Sequence, residues 1–275
     1  MTSSGEADAV QVGAVIRTIA IITDVHANLP ALDAALAAIA GLDCDEIVHT
    51  GDAIGIGPYP AETLDRLLSL PRIRFLMGNH DEWFAHGLPD PRAEWMNPGE
   101  EMHHRWVHAQ LERVNPDFRS LMETWPWMLD DTIAGMRVRF QHYALQADGF
   151  GFASIVAEPV EAPGAGNGAG YADSLDGAFS MYAPAGPTPD VVFYGHHHPQ
   201  SDLVGPSSGI RYVNPGALGC FHEPLARFAV LRVDADGAWD VTHHAVPYDV
   251  DALMHAYDEL DVPERDLIRV AFFGR

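Results

Sequence analysis

The stretch TIAIITDVHAN, residues 18–28, is an apolar run of strand length that stops on Asp24-Val25-His26. A carboxylate and an imidazole, both metal-ligand types, stand where the run ends. The same device recurs down the chain. EIVHT (46–50) precedes Gly51-Asp52, and IRFLM (73–77) precedes Gly78-Asn79-His80-Asp81. RVRFQ (137–141) precedes His142, DVVFY (190–194) precedes Gly195-His196-His197-His198, and IRYV (210–213) precedes Asn214-Pro215-Gly216. Ligands of open α/β sheets bind just beyond the carboxyl ends of the strands, so one sheet can bring all these groups to one edge. Asp, His and Asn together suit one or two borderline divalent cations, which makes metal-assisted chemistry the leading reading.

Around these runs the pattern from residue 18 to 80 reads strand, helix, strand, helix, strand. Asn28 is placed to cap a helix in which Leu32, Leu36 and Ile39 recur at helical spacing. Pro60 to Leu70 reads as a second helix with Leu64, Leu67 and Leu68 on one face. Asp24 lies 28 residues before Asp52, and Asp52 lies 27 before Asn79, so each interval fits one βαβ unit of a parallel sheet. Residues 81–128 read as helical, with Asn97-Pro98-Gly99-Glu100-Glu101 as a start signal. Strands are expected again from 133, then at 190–194, 210–213, 227–233 and 238–245. A helix at about 250–260 and a short tail close the chain.

The domain expectation is a flexible tail over 1–15 and one domain over 16–275. Residues 158–189, rich in Gly, Pro and Ala, form an insertion loop in this reading. The run Gly164-Ala165-Gly166-Asn167-Gly168-Ala169-Gly170 is not a nucleotide loop, because no strand leads into it, no helix clearly follows and there is no lysine. A flexible surface insertion, able to act as a lid, is the expectation.

Composition narrows the function classes. With 39 acidic residues against 16 basic ones, the formal net charge is −23, and every basic residue other than histidine is arginine. Such a surface repels a phosphate backbone, so long nucleic acid is not an expected partner. A small anionic substrate stays possible, since bound cations reverse the local field. Cys44 and Cys220 form no CxxC motif and no disulfide scaffold. No signal peptide or membrane span is legible, so a soluble cytoplasmic protein is expected.

Spacing supports a metal site in more detail. Side chains two apart in an extended strand point the same way, so Asp24 and His26 can grip one ion, as can His196 and His198, with His197 turned away. One DxH alone is noise. Four ligand groups at the ends of successive predicted strands are a strong signal.

Asp24-Val25-His26, Gly51-Asp52, Gly78-Asn79-His80-Asp81, His142 and Gly195-His196-His197-His198, in this order, resemble the calcineurin-like metallophosphoesterases. Asp24–Leu32, Gly51–Pro60 and Val213–Gly219 look like the prokaryotic branch of YfcE-type phosphodiesterases and diadenosine-tetraphosphatase-like proteins. The resemblance spans roughly 18–245. It implies a four-layer αββα sandwich of two mixed β-sheets flanked by helices, and a site with two metal ions. Asp24, His26 and His198 would bind the first ion, Asn79, His142 and His196 the second, and Asp52 both. His80 would sit beside the scissile phosphate with Asp81 orienting its imidazole. Two cations about 4 Å apart can clamp phosphate oxygens and turn a shared water into a hydroxide near neutral pH. Manganese leads among the metals, with iron, zinc, cobalt or nickel as alternatives.

Two departures stand out. Ala27 occupies a position that is usually glycine, and His142 is followed by Tyr143-Ala144 where the family has glycine and a small polar residue. Asn28, Tyr59 and Tyr143 are the candidate substrate contacts, ordinary packing being the competing account of both tyrosines. Of the other histidines, His49 is expected in a sheet, His104 and His108 on a packed helix face, and His222 near the site only if its loop folds inward. Asn214 is expected to shape its loop. His243 and His244, facing opposite sides of a late strand, carry no expected role.

The implied activity is hydrolysis of phosphate monoesters, diesters or nucleotide anhydrides by a metal-bridging hydroxide. The alternatives are a protein serine/threonine phosphatase and a non-catalytic scaffold of the same fold.

Overall fold

The computed structural model describes residues 14–94, 96–153 and 169–275. Most of the expected tail and residues 158–168 of the expected insertion lie outside the described residues.

The chain begins as β1 (Val15–Ile22), α1 (Leu29–Ile39), β2 (Glu46–His49), α2 (Pro60–Leu68) and β3 (Ile73–Phe75). Asn28 caps α1, its side-chain oxygen accepting from the Ala31 N–H at 3.1 Å. Three helices follow: α3 (Asn79–Ala85), α4 (Pro98–Val114) and α5 (Phe118–Met122). Asn97 caps α4 by accepting from the Glu100 N–H at 2.9 Å, with Pro98 in the first turn. The region read as continuously helical is interrupted between Ala85 and Pro98, where two prolines, Pro89 and Pro91, remove backbone donors.

Then come β4 (Met128–Ile133), β5 (Met136–Gln141), α6 (Ala169–Phe179), β6 (Val191–Phe193), β7 (Ser201–Val204) and β8 (Arg211–Asn214). β9 (Leu225–Asp234), β10 (Trp239–Pro247), α7 (Val250–Glu259) and α8 (Arg265–Phe273) complete the chain. Three expectations change. Part of the 158–189 loop is the helix α6, which buries Leu175, Ala178 and Phe179. Val15, assigned to the tail, pairs with Asp234 as the first residue of β1. The short closing tail is the helix α8, with Ile268 and Phe273 buried.

The strands form two five-stranded sheets, ordered β10-β9-β1-β2-β3 and β4-β5-β6-β8-β7. In the first, β1, β2 and β3 are parallel, and β9 and β10 add antiparallel. In the second, β5, β6 and β8 are parallel, with β4 and β7 antiparallel at the edges. The unbroken hydrophobicity of β1 has a structural cause. Ile19 and Ile21 face the second sheet, packing with Phe140, Val191, Phe193 and Val213. Ala20 and Ile22 face the helices, with Leu32, Leu36, Leu64 and Leu111. A strand covered on both faces cannot alternate apolar with polar. The outer face of the second sheet, through Val192, Tyr194 and Tyr212, packs on α6. Helices, sheet, sheet and helix therefore stack as the four-layer αββα sandwich, and two sheets, rather than one, send their carboxyl ends to a common rim.

Candidate metal centre

The loop after β1 does not stay extended. Asp24, His26 and Ala27 take φ of 50°, 48° and 52°, and Asp52 takes 60°. The expected alternation of side chains is replaced by left-handed backbone, which costs a non-glycine residue about 1–2 kcal/mol. Tertiary hydrogen bonds hold it there. The N–H groups of Asp24, His26 and Ala27 donate to the carbonyls of Gly51, Asp52 and Ala53, each at 3.0 Å. Leu218 and Gly219 N–H donate to the carbonyls of Thr23 and Asp24, also at 3.0 Å. Segments after β1, β2 and β8 are thus laced into one floor. Gly78 belongs to it because a Cβ there would overlap the Asp52 carboxylate.

On this floor the seven expected ligands converge as two groups. In the first, His26 Nε2 lies 3.1 Å from His198 Nε2 and 3.6 Å from Asp24 Oδ1, and His198 Nε2 is 3.8 Å from Asp24 Oδ1. In the second, Asn79 Oδ1 lies 2.9 Å from His196 Nδ1 and 3.1 Å from His142 Nε2. Asp52 Oδ2 sits between the groups, 3.7 Å from His26 Nε2 and 3.4 Å from His142 Nε2. Ligand atoms bound at about 2.0–2.2 Å to one ion stand about 3 Å apart when adjacent, and these spacings approach that value.

Backbone carbonyls select the tautomers. His26 Nδ1 faces the Ile54 carbonyl at 3.3 Å and His142 Nδ1 faces that of Thr50 at 3.1 Å. A carbonyl accepts only from an N–H, so in the neutral rings both Nε2 lone pairs are free for a cation. The carboxylates are held likewise. Thr23 Oγ1 donates to Asp24 Oδ2 at 2.6 Å, and the His80 N–H donates to Asp52 Oδ1 at 2.9 Å, leaving Asp52 Oδ2 toward the two groups. The set fits a pair of divalent cations in donor type, tautomer and spacing.

Burial shapes the charges. It pushes His196 down to about 3 and His198 to about 4, so both are neutral and ready to ligate. Burial would also lower His142, but the Asp52 charge and hydrogen bond outweigh it and raise this ring to about 9. Burial would raise Asp24, yet its hydrogen bond to His26 and the neighbouring imidazoles hold it below the usual carboxylate range. Without cations the carboxylates retain protons on their imidazole neighbours, protons that a metal must displace.

His80 lies beside the cage, its ring 4.9 Å from that of His26, and its Nδ1 is buried with no hydrogen-bond partner. The expected Asp81–His80 contact is corrected. Asp81 instead accepts from the backbone N–H groups of Asp52 (2.7 Å), Gly78 (3.0 Å) and Ala53 (3.1 Å). Three backbone donors engage both of its oxygens, so it shapes the loop that carries Asp52.

Of the three candidate substrate contacts, Asn28 and Tyr143 are corrected too. Asn28 is fully buried, with Oδ1 on the Ala31 N–H and Nδ2 donating to the Gly219 carbonyl at 2.7 Å. Tyr143 is buried behind the cage, its ring 4.7 Å from that of His196. Tyr59 packs on the cluster built by Ile56, Leu253 and Tyr257. Asn28 is thus a cap and loop tie, and Tyr143 a packing residue.

Other expectations are met. His49 is buried in β2, and Asn214 shapes its loop, donating to the His197 carbonyl and accepting from the Gly216 N–H at 2.8 Å. His222 is exposed and faces the Ala271 carbonyl, away from the cage. His197 turns away, with Nδ1 2.6 Å from Tyr171 Oη. Cys220, which follows the Asn214-Pro215-Gly216 loop closely in sequence, does approach the cage, its Sγ within 4.8 Å of ligand nitrogens of His26 and His198. One feature near the cage escapes sequence reasoning. The ring of His104 is 5.0 Å from that of His80. Helical spacing marks His104 as packed but cannot say against what.

The crystal structure of hypothetical protein PH1004 from Pyrococcus horikoshii OT3 is similar to this chain, with a TM-score of 0.69, 21% identity, and coverage of 94% of this chain and 99% of that one. That of a metallophosphoesterase from Sphaerobacter thermophilus has a TM-score of 0.63 and 24% identity, covering 92% and 96%. At these identities both bear on the fold alone. Uncharacterized protein MJ0912 of Methanocaldococcus jannaschii is 28% identical over 124 residues, which are 45% of this chain and 48% of that relative, so the match spans about half of each. The family model of the calcineurin-like phosphoesterase superfamily domain matches residues 18–236, which contain both sheets' ligand-bearing strands and every member of the cage. The chain belongs to the calcineurin-like phosphoesterase superfamily.

Proposed function

We propose that this chain is a metal-dependent phosphoric ester hydrolase with a binuclear centre. Asp24, His26 and His198 would hold one divalent cation and Asn79, His142 and His196 the other, with Asp52 shared. The observation that carries the reading is Asp52 Oδ2 standing within 3.7 Å of a nitrogen of each group. Bound there, two cations would supply Lewis acidity for the phosphate oxygens and acidify water.

The chain's own residues do the rest. Four imidazoles and one carboxamide among seven ligands keep the site's negative charge low, so an anionic ester is not repelled once cations are present. His80 is held by its own N–H on Asp52 Oδ1. With Nδ1 buried, Nε2 is the nitrogen left to a substrate, and burial keeps the ring neutral, well below 6.5. A neutral ring protonated at Nε2 donates a hydrogen bond to the leaving oxygen without adding charge to a dry site. Manganese is the metal we expect, with a small phosphate ester as substrate and no role for long nucleic acid. Among the described residues no helix is long and apolar enough to cross a membrane.

The test is metal content per chain together with turnover of bis-p-nitrophenyl phosphate in manganese. Two ions and turnover are expected. Two ions without turnover of any ester would favour a scaffold, and one ion without hydrolysis a structural site.

A further inference from the structure

A cavity of about 260 Å³ opens beside the cage, between the start of α4 and the inner face of α8. It meets the cage at two points. His80 forms part of its wall, and so does Phe272, whose ring is 5.8 Å from that of His198. The outer wall is apolar, made by Ile56, Leu267, Ile268 and Ala271. The polar wall holds Asn97, Glu100, Glu264 and the two histidines His103 and His104. Among the described residues that line it there is no arginine, and the chain has no lysine.

The start of α4 would ordinarily attract an anion through its free N–H groups. Here that end is already taken. Asn97 caps it, and the Glu264 carboxylate lies so close to Gly99 that a Cβ there would collide with it. Glu264 reaches this place from a left-handed backbone, φ 60°, a strain that a non-glycine residue adopts only when its surroundings impose it. The histidines add acceptors rather than charge. His103 Nδ1 faces the Pro263 carbonyl at 3.2 Å, which fixes the proton on Nδ1 and leaves Nε2 a buried acceptor without a partner. Burial pushes His103 down to about 4 and His104 to about 3, so both stay neutral.

We infer that this cavity receives the alcohol part of the ester, and that this part is an uncharged, apolar-bodied group bearing N–H or O–H donors, of the nucleoside class, joined directly to the scissile phosphate. The inference rests on the phosphoesterase reading. Two carboxylates and the bare His103 Nε2 reward donors, the apolar wall rewards a ring, and the want of cations rejects a second phosphate. The volume falls just under the range of about 300–1,000 Å³ usual for whole small-molecule ligands, which suits one such group. Dinucleoside polyphosphates, whose charged chain would run into this cavity, are thereby disfavoured.

The test is calorimetric titration of the manganese-loaded protein with adenosine and, separately, with inorganic phosphate, neither of which needs turnover. Ala271→Trp fills the cavity from an exposed position, and Leu267→Trp, also exposed, is the second variant should the first misfold. Adenosine binding is expected to weaken at least tenfold in the variants and phosphate binding to stay within twofold. In a parallel assay the wild type should prefer bis-p-nitrophenyl phosphate to diadenosine tetraphosphate by at least tenfold in kcat/KM. Adenosine binding that is absent from the wild type or equal in wild type and variants, or a preference for the tetraphosphate, would overturn the inference. Failure of phosphate to bind, with no ester turned over, would instead overturn the hydrolase reading, and the adenosine titration would still decide the cavity.

Discussion

Seven polar side chains from the ends of five strands form the cage, whereas the cavity beside it is walled by two helices that start 167 residues apart, at Pro98 and Arg265. In the cage each ligand follows its strand within a few residues, and glycine and left-handed backbone fix the approach. In the cavity, side chains project from helix faces that could be re-surfaced without disturbing a strand. Under the proposed function, the contrast separates two tasks: rigid strand ends would set the chemistry, and adaptable helix faces would set which alcohol is accepted.

Substitutions should respect that division. Asp52→Asn strikes the one group shared by both halves of the cage. Turnover should fall by about 10³-fold or more, as befits loss of charge stabilisation at the reacting centre, with bound metal dropping below two per chain. His80→Ala removes no proposed ligand and keeps the backbone N–H that holds Asp52. It should lower kcat by about 10²–10⁴-fold while metal content stays at two, a split that steady-state kinetics and metal analysis read together. Equal metal loss in both variants would blur the distinction between ligand and donor.

Stability changes should track the loop floor. Asp81→Ala strands three buried N–H groups, each costing about 1–3 kcal/mol, so chemical denaturation should show a loss of several kcal/mol. Asn28→Ala removes a helix cap and strands the buried Gly219 carbonyl, and should cost about 2–3 kcal/mol. KM for a small ester should not change in proportion, since Asn28 is buried away from any ligand.

The smallest effect is on pH. His142 is raised from 6.5 to about 9 in the metal-free chain. A raised histidine stabilises the fold fully below 6.5 and ceases to do so as pH climbs through 9. The same proton must leave before Nε2 can ligate. Melting temperature of the metal-free protein should therefore drift down between pH 6.5 and 9 from this group, while manganese affinity rises over the same interval. Parallel trends would place the proton elsewhere.

Much of the cage was legible in the sequence because each ligand sits where an apolar run ends, and such runs are visible without a structure. The two-sheet sandwich came from resemblance rather than from the runs, which alone suggested one sheet. What sequence reasoning missed depends on contacts between distant segments. Asp81 was expected on its neighbour His80, but adjacency along the chain does not show that three backbone donors compete for its oxygens. Asn28 and Tyr143 lie next to ligands in sequence and are buried behind them in space. α8 reads as a tail because its pattern is short, and its partner surface is remote. His103 and His104 look like an ordinary helix face until α8 is laid against it.

The shared carboxylate is the centre of the account, and anomalous scattering from crystals grown with manganese tests it most directly. Two peaks are expected, one among Asp24, His26 and His198 and one among Asn79, His142 and His196, both in contact with Asp52 Oδ2. A single peak, or two that do not share Asp52, would contradict it.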